Sequence, residues 1–432
     1  MTVEHAFIAK KLYSLKKFRG MLKKLFALYF FAAIPFYSKA QEVLGFALTQ
    51  GKSRVEIPIE IQNNLVIVPI VLNRQIPLKF ILDTGVRTAI LTEKTFSDIL
   101  NLPYSRKYSI AGPGGVKVVD AYITNNVTLD LPGVHGQGHA LLVLDKDYLE
   151  LRNYLGTDVH GILGYELFSR FIIKIDYERK VLVIQSTDKF IRKRKFEMLP
   201  IKVEDTKPYV EVKIQINDST KSIVKLLIDT GASHGLILEP SSGPTIKVPP
   251  KHINSIIGRG LGGVITGQIG RIGSLELGKY KISEVITNFP DPNSYMDSLK
   301  NNRAVFRNGA IGGEILSRFT VIFNLPYEKI YFKKNSSFKK KFYFNQSGLT
   351  LKAEGVNLRK FKITDVRSNS AAEKAGILPG DVILKINGIS SGGFELNNVN
   401  ALLNSKPGKR ISLQLEREGR ILKMEFLLEN PI

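Results

Sequence analysis

The sequence predicts a mainly β protein made of two similar lobes and a smaller C-terminal module. The prediction rests first on an internal duplication: residues 79–85 (KFILDTG) recur as residues 225–231 (KLLIDTG), and residues 161–171 (GILGYELFSRF) recur as residues 309–319 (GAIGGEILSRF). The two pairs keep their order along the chain and lie 146 and 148 positions apart. Such a long period is typical of two domain-sized copies, each of about 145 residues, rather than of a solenoid repeat.

Strand patterns recur in both copies. Residues 54–61 (RVEIPIEI) and residues 209–216 (YVEVKIQI) alternate polar and apolar side chains, which is typical of half-buried strands. Residues 78–82 and residues 224–228 are short and largely apolar, as expected of buried strands. Each lobe is therefore expected to be built on a sheet.

Glycine clusters and sparse helix signals complete the pattern. Residues 110–119 and residues 256–272 contain AGPGG and GRGLGG, which predict two hairpins with glycine-rich tips. A helix is expected over residues 93–100, and a short helical turn is expected after each of the repeated GILG and GAIG segments.

Charged stretches mark the expected domain boundaries. Residues 185–199 and residues 333–341 (KKNSSFKKK) are expected to be solvated connectors. The predicted organisation is lobe one over residues 41–190, lobe two over residues 200–335 and the C-terminal module over residues 343–432.

Composition excludes several classes of site. The 432 residues contain no cysteine, so disulfides, thiolate catalysis, zinc fingers and iron–sulfur centres are ruled out. The six histidines form no H-E-x-x-H motif, and neither a metal nor another cofactor is expected. The formal net charge is +23, which would suit nucleic acid, an anionic membrane or an acidic partner. No nucleic-acid-binding motif accompanies the charge, so we expect a solubilising lysine-rich surface and no nucleic-acid partner.

The N-terminus has the pattern of a secretory signal. Lys23 and Lys24 precede an apolar run over residues 25–37, and small residues at Ser38 and Ala40 offer a cleavage site. We expect a signal peptide over residues 1–40, with Met21 as a possible start, and export to the periplasm or exterior of a bacterial envelope. The alternative is an uncleaved anchor, and an intact N-terminus on protein from its host would refute cleavage.

The repeated Asp-Thr-Gly triplet predicts a specific chemistry. An aspartate at the end of a buried strand needs hydrogen-bonding partners, and the glycine that follows allows a tight turn that points amides at the carboxylate. If two such turns meet, the two carboxylates cannot both ionise and share one proton. One carboxylate is then a base for an attacking water and the other an acid.

The two turns, each followed by a glycine-bounded apolar segment, resemble those of pepsin- and retropepsin-type aspartic proteases. The resemblance covers roughly residues 50–335. It implies a duplicated, double-lobed β-barrel fold with a cleft that takes a polypeptide substrate and hydrolyses peptide bonds with water. Its residues are the catalytic pair Asp83 and Asp229 and the supporting loop residues Thr84, Gly85, Thr230 and Gly231.

One departure keeps a second interpretation open. The family usually has Ser, Thr or Ala after the triplet; lobe one has Val86 and Arg87 instead. An inward-pointing Arg87 would favour ionised Asp83 and disturb proton sharing. The alternative is therefore a non-catalytic peptide-binding or scaffold protein with a degenerate protease fold. Ser233 and Ser390 lie in G-x-S-x-G patterns, but the histidine order does not suit a serine hydrolase.

The C-terminal module resembles a PDZ domain. Residues 371–388 (AAEKAGILPGDVILKING) carry the resemblance, which extends over residues 343–432. It implies binding of an extended peptide or protein C-terminus by strand addition, with the helix near residues 398–403 as the second groove wall. The loop expected to take the terminal carboxylate consists of Gly348, Leu349, Thr350 and Leu351. The module would recruit or position a polypeptide or gate the cleft; the alternative is a PDZ domain that only packs against the lobes.

Overall fold

The computed structural model describes residues 44–114, 118–192, 194–292 and 305–432. The predicted signal peptide therefore lies outside the described residues. Among these residues no helix is long and apolar enough to cross a bilayer.

In its described residues, the first lobe contains strands β1 to β14 and three short α-helices. The strands are β1 Gly45–Leu48, β2 Arg54–Pro58, β3 Glu60–Gln62, β4 Leu65–Leu72, β5 Ile76–Leu82, β6 Ala89–Leu91, β7 Tyr104–Ala111, β8 Val118–Val127, β9 Leu129–Asp130, β10 Val134–Gln137, β11 His139–Leu144, β12 Gly161–Leu163, β13 Ile172–Asp176 and β14 Val181–Gln185. The helices are α1 Lys94–Ile99, α2 Leu151–Leu155 and α3 Tyr165–Phe168.

The second lobe and the C-terminal module also consist mainly of β-strands with short helices. The second lobe has β15 Glu197–Pro200, β16 Lys202–Glu204, β17 Lys207–Gln215, β18 Lys221–Ile228, β19 Leu236–Leu238, β20 His252–Gly260, β21 Gly263–Leu277, β22 Tyr280–Pro290, β23 Gly309–Ile311, α4 Gly313–Leu316, β24 Phe319–Asn324 and β25 Lys329–Lys334. The module has β26 Leu349–Glu354, β27 Lys360–Val366, α5 Ala371–Lys374, β28 Val382–Ile386, β29 Ile389–Ser390, α6 Leu396–Leu403, β30 Arg410–Arg417 and β31 Arg420–Leu427.

The duplication seen in the sequence is also a duplication of topology. Within the described residues, the main sheet of lobe one runs β3-β4-β5-β12-β6-β11-β8-β7, and that of lobe two runs β16-β17-β18-β23-β19-β22-β21-β20. In each lobe the strand before the Asp-Thr-Gly turn pairs in parallel with the strand that returns later, β5 with β12 and β18 with β23. The predicted fold class, mainly β with two sheet-rich lobes and a PDZ domain, is confirmed.

A further sheet joins the two lobes. Its strand order is β15-β25-β24-β13-β14-β2, so strands of both lobes are hydrogen-bonded side by side. At the seam, β13 pairs antiparallel with β24, with Ile173 opposite Phe323 and Ile175 opposite Val321. These four side chains are fully buried in one core that extends through both lobes, and each contributes about 1.5–3 kcal/mol by its burial. We call this the shared sheet.

The connector expected over residues 333–341 has exposed lysines but is anchored to lobe two. Strand β25 continues to Lys334, and the ring of Phe338 packs against Phe319 and Tyr280 of lobe two, with centroids 5.4 and 5.8 Å apart. The half-buried ring of Phe338 therefore holds this segment on lobe two, while the neighbouring lysines stay in solvent. In the first connector, residues 185–199, β15 begins at Glu197 and joins the shared sheet.

The C-terminal module has a core of its own. Its sheet runs β26-β27-β28-β30-β31, and Phe361, Ile363, Ile383 and Val399 are among its fully buried side chains. Ser370 caps α5, because its hydroxyl accepts the Glu373 amide at 3.3 Å. Strand β26 pairs only with β27 among the described strands, so no strand covers its other side.

Candidate active site

The two Asp-Thr-Gly turns meet between the lobes. Asp83 follows β5, and its amide donates to the Leu163 carbonyl of β12 at 2.8 Å. Asp229 follows β18, and its amide donates to the Ile311 carbonyl of β23 at 2.9 Å. The returning parallel strand therefore holds the start of each turn in the same way.

Two buried threonines lock the turns to each other. The Thr84 hydroxyl donates to the Ile228 carbonyl at 2.6 Å and accepts the Thr230 amide at 3.1 Å. The Thr230 hydroxyl donates to the Leu82 carbonyl at 2.7 Å and accepts the Thr84 amide at 3.0 Å. Each hydroxyl thus satisfies two backbone groups of the other lobe that water does not reach.

The carboxylates of Asp83 and Asp229 lie on either side of the meeting point of the turns. A Cβ atom on Gly85 would lie 3.1 Å from Asp83 Oδ1 and 3.5 Å from Asp229 Oδ1. Each carboxylate also accepts the amide two residues on: Gly85 donates to Asp83 at 2.6 Å and Gly231 donates to Asp229 at 2.9 Å. A Cβ atom added to Gly231 would lie 2.1 Å from the carboxyl carbon of Asp83, so only glycine fits beneath that carboxylate.

The surroundings of the two aspartates raise the pKa of both carboxyl groups. Burial and the neighbouring charge of Asp229 raise the pKa of Asp83 to about 8, against a smaller lowering by the Gly85 amide. Burial also raises the pKa of Asp229, but the Gly231 amide, the charge of Arg307 and the hydrogen bond from Asp83 lower it. The two carboxylates therefore titrate as one pair, whose proton is held to a higher pH than that of an ordinary aspartate.

The unusual residues after the first triplet do not face the dyad. Arg87 is exposed, and the lysine that lowers the pKa of Asp83 is Lys207 of lobe two. Val86 is half-buried and packs against an apolar cluster of lobe one that also receives Leu261 from the hairpin of lobe two. Val86 thus supports an apolar contact between the lobes, and the charge of Arg87 leaves the dyad undisturbed.

Hairpins β7–β8 and β20–β21 touch at their tips. The Gly262 amide donates to the Pro113 carbonyl at 2.9 Å. Gly114 and Gly263 both have a positive φ, and a Cβ atom on Gly114 would lie 2.1 Å from the Gly263 carbonyl oxygen. The predicted glycine-rich tips are needed because the two backbones approach closely. The hairpins thereby bridge the lobes beside the first Asp-Thr-Gly turn.

The duplicated segment contributes a further glutamate in each lobe. In lobe one, Glu166 hydrogen-bonds the buried His139. In lobe two, Glu314 donates its amide to the His234 carbonyl at 3.2 Å, next to the second turn. Burial raises the pKa of Glu314 to about 7 and lowers that of His234 to about 4. Glu166 and Glu314 occupy matching positions of the repeated segment, so the sequence could have indicated both residues. Their contacts with His139 and His234 are visible only in the structure.

We expect Thr84→Val to destabilise the protein by about 3 kcal/mol, because two buried backbone groups lose their partner and each costs about 1–3 kcal/mol unpaired. Thr124→Val is the matched control. Thr124 is equally buried in lobe one, and its hydroxyl has no hydrogen-bond partner among the described residues. Thermal and urea unfolding measure both variants. Equal stability of the two would show that the cross-lobe bonds are not made in solution.

In the loop predicted to bind a carboxylate, two backbone amides already donate to side chains of the preceding residues. The Gly348 amide donates to Asn345 Oδ1 at 2.8 Å, and the Leu349 amide donates to Ser347 Oγ at 3.2 Å. Thr350 is half-buried, and Leu351 is buried in the core of the module. These two amides must exchange Asn345 and Ser347 for a ligand before they can bind its carboxylate.

Comparison with known proteins agrees with this arrangement. An aspartyl protease family model matches residues 68–167 and again residues 212–311. A PDZ domain model matches residues 362–417. The chain carries an aspartyl protease region in two copies and a C-terminal PDZ domain. Each protease region contains one of the two aspartates and the β-strand that precedes it.

Curated relatives share only part of their length with this chain. It is 48% identical over 50 residues to carboxy-terminal processing protease CtpA of Bacillus subtilis, spanning 12% of this chain and 11% of the relative. It is 30% identical over 138 residues to CtpB of the same organism, spanning 32% and 27%. It is 39% identical over 67 residues to serine endoprotease DegS of Haemophilus influenzae, spanning 16% and 19%.

Among solved structures, soybean basic 7S globulin is similar over 66% of this chain and 95% of that chain, with a TM-score of 0.38 and 10% sequence identity.

Proposed function

We propose that this protein is an aspartic-type endopeptidase that hydrolyses peptide bonds of a polypeptide substrate. The observation that carries the proposal is that the cross-lobe threonine bonds bring the half-buried carboxylates of Asp83 and Asp229 to one place, within 3.5 Å of a single Cβ position on Gly85. Such a pair supplies a base and an acid within one site.

We propose a role for each aspartate, with Asp229 as the base and Asp83 as the acid. Ionised Asp229 accepts a proton from a water molecule, and the resulting hydroxide attacks the carbonyl carbon of the peptide bond. Asp83 gives its proton to the carbonyl oxygen, which becomes the hydroxyl of a tetrahedral intermediate. Breakdown returns a proton to the leaving amine, and no covalent bond to the enzyme forms.

The local structure of lobe two supports the aspartic type over a serine type. Ser233 precedes His234 in the sequence, and Asn64 Nδ2 donates to the Ser233 carbonyl at 3.2 Å. The imidazole of His234 is buried, and its Nε2 has no hydrogen-bond partner among the described residues. In the described residues, Nε2 of His234 therefore makes no hydrogen bond to the Ser233 hydroxyl of the kind that activates a serine nucleophile. The serine type named for DegS is a property of that relative.

The PDZ domain extends the proposal to a second polypeptide contact. Its edge strand β26 offers backbone groups for strand addition, and we propose that it recruits or positions a polypeptide or a protein C-terminus. Export to a bacterial envelope rests on residues 21–40 alone and stays a prediction. Sequencing the N-terminus of protein from its host, expected to begin at Gln41, tests it.

Hydrolysis of denatured casein, followed from about pH 3 to about pH 9, tests the proposed activity. We expect a bell-shaped profile, because the pair is active only with one proton. The acidic limb should lie above 3.8, the usual pKa of aspartate, and the alkaline limb near pH 8, since burial raises both values. The Asp83→Asn/Asp229→Asn double variant serves as the blank. Folded protein without cleavage at any pH would favour the peptide-binding scaffold instead.

A further inference from the structure

Lobe one reaches into the groove of the PDZ domain. The side chain of Asn153, in helix α2, donates to the carbonyl of Ala353 in edge strand β26 at 2.8 Å. Gly156 ends α2 with a positive φ, and a Cβ atom on it would lie 2.5 Å from Cβ of Leu396, the first residue of α6. Residues 150–156, here called the docking segment, therefore contact both walls of the groove between β26 and α6.

Charged groups reinforce this contact. Lys352 of β26 forms an ion pair with Glu150 at 2.6 Å, with 19% and 37% of the two side chains exposed. Arg152 donates to the Val356 carbonyl just beyond β26 at 2.7 Å. The docking segment thus binds a backbone carbonyl of the edge strand and the lysine beside it, which are groups that an added peptide strand would use.

The same segment contacts a hairpin of lobe two. The guanidinium of Arg259, in β20, donates to the hydroxyl of Tyr154 at 2.8 Å and lies 4.6 Å from the centre of the tyrosine ring. Tyr154 follows Asn153 directly in α2. The hairpin β20–β21 that carries Arg259 is also the one whose tip bonds to Pro113 of lobe one. The docking segment therefore connects the PDZ groove to the hairpin that bridges the lobes.

We propose that the docking segment is an internal ligand of the PDZ groove, and that a polypeptide partner which displaces it releases the β20–β21 hairpin. This inference rests on the proposed peptide-binding role of the PDZ domain. The partner is an extended polypeptide with an acidic side chain to replace Glu150 at Lys352. It also needs a backbone amide for the Ala353 carbonyl and a small residue against Leu396. Displacement moves Tyr154 away, so that Arg259 loses its hydrogen bond to the tyrosine hydroxyl and its contact with the ring.

Hydrogen exchange of the mature full chain, followed by mass spectrometry, tests the connection without any need for activity. Glu150→Lys places two cations together, and we expect exchange to become about three- to ten-fold faster in residues 346–356 and in the hairpin over residues 252–264. The double variant Glu150→Lys/Lys352→Glu restores the opposite charges and should restore slow exchange. Lys385→Glu, an exposed position two strands away on β28, is the control and should change neither region.

Two synthetic peptides test the competition. One carries residues 147–158 of this chain and the other carries the same residues with Glu150→Lys; both have blocked ends and a fluorescent label. The Glu150→Lys chain should bind the natural peptide about ten-fold more tightly than the substituted one, and the Lys352→Glu chain should show the reverse preference. Anisotropy titration measures both.

The outcomes separate this inference from the proposed activity. Faster exchange in residues 346–356 without faster exchange in the hairpin would refute the connection. Unchanged exchange in both regions, failure of the double variant to restore protection, or equal binding of the two peptides would refute the internal ligand. Absence of casein cleavage, with all exchange and peptide results as expected, would refute the protease and leave the internal ligand standing.

Discussion

Asp83→Asn is expected to lower peptide hydrolysis by about four orders of magnitude, because the variant lacks the proton that the carbonyl oxygen needs. Asp229→Asn should have an equal effect, because it removes the base. The two losses should not add in the double variant, since the residues act as a unit. Turnover of denatured casein at the optimum pH measures all three variants. Activity of either single variant above about 1% of wild type would contradict the dyad.

A stability measurement distinguishes this loss from unfolding. The folded protein raises the pKa of Asp83 from 3.8 to about 8, so between these values it holds a proton that the unfolded chain has lost. The wild type must therefore lose stability as pH rises through that window. Asn does not titrate, so the melting temperature of Asp83→Asn should exceed that of the wild type by a margin that grows towards pH 8. A margin independent of pH would show that Asp83 is ionised in the folded protein.

Gly231→Ala is expected to have the second largest effect. The added Cβ atom would lie 2.1 Å from the carboxyl carbon of Asp83, and no small shift relieves such an overlap. We expect a loss of about 1–3 kcal/mol of stability and no measurable hydrolysis, because the Asp83 carboxylate must leave its place or the turn must shift to relieve the overlap. Thermal unfolding and casein turnover report the two effects separately.

Gly85→Ala is the matched control for that substitution, because Gly85 has the same place in the first turn. Its Cβ atom would lie 3.1 Å from Asp83 Oδ1 and 3.5 Å from Asp229 Oδ1, which is tight but allows a small adjustment. Gly85→Ala should therefore fold with a smaller loss of stability than Gly231→Ala. Equal losses would show that the two turns are more symmetric in solution than in the structure described above.

The sequence was sufficient to predict the two sheet-rich lobes and to name Asp83 and Asp229 as candidates. The reason is physical: the repeated KFILDTG and KLLIDTG segments each combine a buried strand, a carboxylate and a tight turn within seven residues. Periodicity over so short a stretch reports local structure well. The glycine-tipped hairpins were predicted on the same basis, although strands β7, β8, β20 and β21 extend further than the glycine clusters indicated.

Contacts between distant parts of the chain could not be predicted from local sequence patterns. Arg87 was expected to threaten the dyad if it pointed inward, but the direction of a side chain depends on its packing, and here it is exposed. No sequence pattern marks Asn153 and Tyr154, because a helix of five residues is too short to show a distinctive periodicity. Their importance comes from Ala353 and Arg259, which are 200 and 105 residues away along the chain.

The shared sheet has a consequence for biogenesis. Strand β13 carries Ile173 and Ile175 and pairs with β14 on one side, but its other side is covered by β24, which is synthesised about 140 residues later. Until then a nascent chain exposes an apolar strand with unpaired backbone groups, the kind of edge on which chains aggregate. We therefore expect lobe one to complete its sheet only after residues 319–324 have been synthesised, and to need protection from aggregation until then.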